Sequence, residues 1–151
     1  MNGLKLPAGR LAAYGILGFP LAMAALPIYV HVPKFYADTL GLSLAGVGLI
    51  LLFARIFDAV QDPLLGWWSD ARRLKPGGRW RFVAVGAPVM ALGLYGLFNP
   101  PGWEAGPLGW WLVANLLIVY TAFSMVTVSY TAIGAELSDD PVERTRVTAF
   151  R

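Results

Sequence analysis

The chain has 151 residues, 57% of them apolar and 14% charged, with a formal net charge of +3, no Cys and a single His. Soluble domains carry about 25% charged residues, so this composition excludes a disordered chain and points away from a water-soluble globule toward a polytopic membrane protein. The lack of Cys removes disulfide frameworks and thiolate chemistry, and one His leaves little for imidazole chemistry.

Four apolar stretches predict transmembrane helices at about 11–33, 43–66, 81–98 and 108–134. At about 1.5 Å per residue each can cross a hydrocarbon core of about 30 Å, the third only just. Helix I carries Gly18 and Ala22 four apart, a close-packing spacing, with Pro20 and Pro27 as expected kinks. A cleaved signal peptide is the rival reading, because Ala22-Met23-Ala24 resembles a peptidase site, but apolarity continues through Val32. His31, near the end of the span, is given an interfacial role. The turn between helices I and II is expected over 35–43, around Asp38 and Gly41.

Helix II contains Arg55, Asp58 and Asp62 at i, i+3 and i+7, on one helix face, with Gln61 on its flank. A charge at mid-bilayer costs about 2.5–3.5 kcal/mol on insertion scales, and two acids one turn apart repel each other. Arg55 can neutralise one carboxylate, which leaves the second to take a proton or a cation. Two carboxylates and an amide carbonyl are hard oxygen donors suited to sodium or a proton. Pro63 adds to them by leaving the Ala59 carbonyl without its helical donor. The competing structural reading is a buried ion-pair network that only fixes helix packing. Just beyond the helix, Asp70 precedes Arg72 and Arg73, and Arg79 follows the Pro76-Gly77-Gly78 turn, a pattern that predicts an ion-pair latch between helices II and III.

Pro100-Pro101-Gly102 marks the turn after helix III. Helix IV carries a hydroxyl stripe of Thr121, Ser124, Thr127 and Thr131, read first as packing glue and second as a lining near the acids. After it, Asp140 can cap a new helix, with Pro141 at its first position and Glu143 at its third, so a fifth helix is expected from about 141. The chain ends one or two turns into that helix and reads as a piece of something larger. All six Trp fall at predicted helix ends, where the headgroup layer suits an amphipathic ring. Ten of the twelve Lys and Arg lie on one side of this topology, which places both ends of the chain in the cytoplasm and makes the net charge topological, with no nucleic-acid partner implied.

The run Ala54 to Gly66, the Gly66-x-x-x-Asp70 loop, the preceding Phe35 to Ser43 and the Asp-x-x-x-Glu-Arg pattern in the tail resemble the glycoside-pentoside-hexuronide:cation symporters, the melibiose-carrier-like family of the major facilitator superfamily. The similarity covers nearly the whole chain but only the first third of a member, which has twelve helices in two halves with the solute site between them. The resemblance implies an all-α membrane protein, four transmembrane helices plus the start of a fifth, forming a partial N-terminal transmembrane domain over residues 1–151. It implies a bacterial inner (plasma) membrane and C-terminal helices beyond this chain. By position, Asp58 and Asp62 match the family's two helix II cation-binding acids, Gln61 stands where the melibiose carrier has Asn, Ser124 falls at its helix IV hydroxyl ligand, and Arg55 matches the Arg before the acids. The carrier's sugar-binding acids align with Ala22 and Thr127, so the known galactoside clamp is missing and only a substrate-lining role is implied there.

The expected function is therefore that of a fragment of a sodium- or proton-coupled secondary transporter, a symporter for a sugar-like or other small polar solute, with solute, coupling cation and lipid as partners. No cofactor beyond that cation is expected. Two alternatives share the residues: a non-functional remnant of a truncated gene, and a small four-helix membrane protein acting as a dimer. An enzyme reading, a membrane phosphotransferase of the CDP-alcohol type, fails because Leu-Ile-Leu-Leu-Phe stands before Ala54-Arg55 where Asp-x-x-Asp-Gly is required.

Overall fold

A computed structural model describes residues 8–71, 78–102 and 104–136, so the expected fifth helix, Arg72 and Arg73 lie outside the described residues. The described chain is built from helices alone. Helix α1 (Ala8–Leu26) runs without a break into a π turn (Pro27–His31), a short α turn (Val32–Lys34) and a second π turn (Phe35–Thr39). Then follow α2 (Leu44–Ala71), α3 (Gly78–Phe98) and α4 (Ala105–Glu136). All four are long and apolar enough to cross a bilayer. Ile16, Phe19, Phe53, Val60, Leu64 and Leu92 are each more than half exposed on the outside of the bundle, a surface that lipid accepts and water does not. The chain is an integral membrane protein.

The helices outrun the apolar stretches that predict them. Helix α1 continues through 39 because Phe35 and Tyr36 still have partners: the Phe35 ring lies 5.9 Å from Phe98, and the Tyr36 hydroxyl donates to the Leu97 carbonyl at 2.9 Å. The Leu40 N–H reaches the Phe35 carbonyl and the Leu42 N–H that of Tyr36, closing the helix end. Gly41 then reverses the chain at φ +74°, a conformation that favours glycine. The connection shrinks to 40–43, where Ser43 caps α2 through its hydroxyl to the Gly46 N–H at 3.1 Å. Helix α2 likewise persists past Gly66 to Ala71, with Ser69 buried in its last turn and Trp68 edge-on to Phe82 of α3 at 5.3 Å.

Helix α4 is the centre of the bundle. Half of its span is buried, against 18–28% of the other three. Leu108, Leu112, Leu116, Val119 and Tyr120 of α4 join Ile28, Val32 and Tyr36 of the α1 extension, Val47 and Ala54 of α2 and Leu97 of α3 in one core. Against α3 the approach is close. A Cβ on Gly86 would lie 2.7 Å from Val126 Cγ2 and 3.1 Å from the Ala122 carbonyl, and one on Gly93 would lie 2.6 Å from Val119 Cγ2. Lipid supplies little hydrophobic drive between helices, so such backbone proximity carries the association. Gly86→Leu is expected to lower stability by about 1–3 kcal/mol through overpacking. Gly48→Ala, in open space, should be neutral or slightly stabilising on helix propensity. Unfolding of both variants in mixed micelles checks the contrast.

Candidate functional site

The charged face of α2 turns inward between α1 and α4. Asp58 and Gln61 are buried, at 9% and 8% exposure. Asp58 is held on both oxygens: Arg55 Nη1 donates to Oδ2 and Gln61 Nε2 to Oδ1, each at 3.3 Å. The Gln61 Oε1 lies 2.9 Å from Thr121 Oγ1 on α4, which also lies 2.7 Å from the Leu117 carbonyl, so its one proton serves one acceptor at a time. The amide orientation follows, since turning Gln61 over would set its oxygen against the Asp58 carboxylate. Gln61 thereby bridges Asp58 to α4.

Asp62 is placed differently. Its Oδ1 accepts from Ser124 Oγ of α4, and no cationic side chain pairs with it in the described structure. The guanidinium of Arg55 stays one turn away on Asp58 and is bracketed by aromatic rings, 4.5 Å from the centroid of Tyr29 in the first π turn and 5.5 Å from that of Tyr120 on α4. A cation over an aromatic face gains about 0.5–2 kcal/mol depending on its exposure. The cluster holds one basic and two acidic side chains, so one acid is left without a cationic partner among the described residues. The Asp62 carboxylate and the Ser124 hydroxyl are hard oxygens brought together from two helices there.

The hydroxyl stripe of α4 divides. Thr121 and Ser124 face α2, Thr131 donates back to the carbonyls of its own helix at 2.9 Å, and the buried Thr127 Oγ1 has no partner. Thr127 and Ala22 both line a cleft of about 200 Å³ between α4 and α1. Tyr130, which also lines the cleft, is stacked on Tyr14 at 4.4 Å, each hydroxyl donating to the other's carbonyl at 3.2 and 3.0 Å. At the loop between α2 and α3, Arg79 Nη2 donates to Asp70 at 2.7 Å, with the Arg79 side chain buried and Asp70 exposed. His31 is exposed.

Sequence reasoning passed over Tyr29 and Tyr120. Part of the signal was present: Tyr120 stands one turn before Ser124 on the inward face of α4, whereas Tyr29, 41% exposed, follows Ala25 by one turn on the face that carries Ala22.

A family model described as MFS/sugar transport protein matches residues 11–151. The chain belongs to this major facilitator family. Similar proteins include an uncharacterized symporter of Synechocystis sp., 31% identical over 100% of this chain and 29% of the relative. A sphingosine-1-phosphate transporter of Mus musculus is 30% identical over 95% of this chain and 30% of its own length. An isoprimeverose transporter of Lactiplantibacillus pentosus is 26% identical over 96% and 30%. No solved structure matches. This chain thus spans about a third or less of the curated relatives it matches. The family is one of transporters and not of enzymes, and the four helices are its N-terminal portion.

Proposed function

We propose that this chain forms the first part of the N-terminal half of a cation-coupled solute symporter, with sodium or a proton taken by Asp62 together with Asp58 and Ser124. The observation that carries the reading is Asp62: a carboxylate inside a membrane span whose partner is a neutral hydroxyl, while the neighbouring Arg55 is committed to Asp58. A fixed packing device has no use for that second acid, whereas a site visited by a mobile cation needs it. In this reading Gln61 and Thr121 hold Asp58 in place, and Ala22 and Thr127 face the solute, a sugar-like or other small polar molecule.

A cation drives transport only by binding one conformation better than the other. The site suits that role because its donors come from two helices: α2 gives the acids and α4 the hydroxyl, so relative movement of α2 and α4 changes the cage. The rocking of this half against the C-terminal helices of the intact protein would supply alternating access. In this reading, which follows the bias of the basic residues, both ends of the chain lie on the cytoplasmic face of a bacterial inner membrane, and the Asp70–Arg79 pair is a latch there.

The test is a thermal unfolding midpoint of the intact protein in detergent, with sodium replacing choline at constant ionic strength and, separately, with falling pH. A saturable rise with one of the two cations is expected, and Ser124→Ala should weaken the apparent affinity by roughly 10-fold. A midpoint indifferent to sodium and to pH would sink the reading.

A further inference from the structure

We propose that Tyr29 and Tyr120 are positioning residues of the cation site: acting through Arg55, their ring faces hold the guanidinium on Asp58 and keep it off Asp62. This rests on the transporter reading above. The three partners come from three helices, Arg55 from α2, Tyr29 from the first π turn of the α1 extension and Tyr120 from α4. The Arg55 Cζ lies 4.5 Å from the Tyr29 centroid and 5.5 Å from that of Tyr120, and the centroids lie 6.4 Å apart. The charge therefore sits in the corner that two aromatic rings make.

Something has to fix that charge, because its contact with Asp58 is thin. It is one hydrogen bond, at 3.3 Å, on a side chain that is half exposed. Asp62 stands two turns further along the same face, about 10.5 Å along the axis, and its side chain leans back toward Arg55, as helical side chains lean toward the N-terminus. An arginine stem turned down the helix toward an acid that leans up closes that gap. Swung onto Asp62, the guanidinium would serve the acid as a tethered cation, and a mobile one would have to displace it.

The rings act against that swing. A planar, weakly hydrated guanidinium stacks well on aromatic faces, and leaving them for Asp62 forfeits both contacts, a bias toward Asp58 of roughly 2- to 30-fold. The ring faces carry this bias, and the hydroxyls do not. Tyr120 is buried, yet its hydroxyl has no hydrogen-bond partner among the described residues. An unmatched buried hydroxyl lowers stability, so what position 120 supplies is its ring. Tyr29 is exposed and lies outside the buried core, so its ring can be replaced without opening a cavity.

The experiment uses the intact protein in detergent and reads the unfolding midpoint in two arms. The first is a mutant cycle between Tyr29→Leu and Arg55→Gln in choline chloride: loss of the ring is expected to shift the unfolding equilibrium about 3-fold or more with Arg55 present and less than about twofold without it. The second titrates sodium against choline and, separately, protons. For the cation that raises the midpoint, Tyr29→Leu is expected to weaken the apparent affinity about 3-fold or more, while Tyr29→Phe, which keeps the face, stays within about twofold of the unaltered protein. Tyr120→Phe should keep the affinity and be at least as stable, since only an unmatched hydroxyl is lost. A ring that merely packs would lower the midpoint of Tyr29→Leu and leave its cation affinity alone. Should Arg55→Gln not fold, the contrast between Phe and Leu at position 29 decides. Equal cation affinity in Tyr29→Leu and Tyr29→Phe, a loss of affinity in Tyr29→Phe, or a cycle without coupling overturns the proposal. The unaltered protein tells the two readings apart: a cation response that ignores the rings leaves the transporter reading and ends this one, and no response at all ends both.

Discussion

Asp62→Asn is expected to abolish the cation response of the intact protein, lowering cation affinity on the order of 100-fold or more, since losing even a residue that merely orients an ion's ligand costs about 10–100-fold. The fold should survive it. The amide oxygen introduced by the substitution can still accept from Ser124, and Arg55 and Asp58 keep their pair. The change therefore removes charge with little alteration of shape. Asp58→Asn should also remove the response, by a different route: it releases Arg55, which then has Asp62 as its nearest acid and fills the site with a fixed cation. It should lower stability as well, because both Asp58 oxygens are occupied in the structure. Titration of the unfolding midpoint against sodium and against pH, with gradient-driven uptake in vesicles, separates the two variants. Cation dependence that persists unchanged in both refutes the assignment.

Tyr14→Ala should give the largest loss of stability. It deletes a ring stacked at 4.4 Å on Tyr130 together with two hydrogen bonds, one of which runs from the Tyr130 hydroxyl to the backbone of residue 14 and would lose its geometry as the ring collapses. Gly134 is adapted to this ring, since a Cβ there would strike the Tyr14 hydroxyl. The expected cost is about 3 kcal/mol, the low end for aromatic truncation, because lipid weakens the transfer term while the lost contacts remain. Tyr14→Phe keeps the stack and should cost about 1 kcal/mol. The double variant Tyr14→Phe/Tyr130→Phe reveals through a mutant cycle whether the reciprocal bonds are coupled. Unfolding in mixed micelles measures all three. A Tyr14→Ala protein as stable as Tyr14→Phe would mean that α1 and α4 are fastened elsewhere.

Four spans were legible in the sequence because a membrane demands long apolar helices, and their number follows from the breaks at Gly41, Pro76-Gly77-Gly78 and Pro100-Pro101-Gly102. Their ends were less so. Apolarity stops near Val32, but the backbone helix goes on to Thr39 as Tyr36 finds a carbonyl on α3, a contact that no local pattern announces. The π turns were equally hidden: Pro27 predicts a kink, and whether the chain bends or widens depends on what packs against it. In the site, the spacing of Arg55, Asp58 and Asp62 put three charges on one face, and the register across to Ser124 came from the family resemblance. The contact of Gln61 with α4 was not legible, since it depends on where Thr121 falls across the helix interface. Tyr29 and Tyr120 look like ordinary apolar residues until a guanidinium is placed between them.

The π turn at Pro27–His31 has a mechanical meaning once the fastenings of α1 are considered. The helix is tied to α4 at Tyr14 and to α3 at Tyr36, and this wider turn lies between the two ties, carrying Tyr29. Such widened turns are rare and occur mostly as single turns inside α-helices, frequently at functional sites. Between those ties Ile28 is sunk in the core, so the widened turn decides where the ring of Tyr29 stands against Arg55.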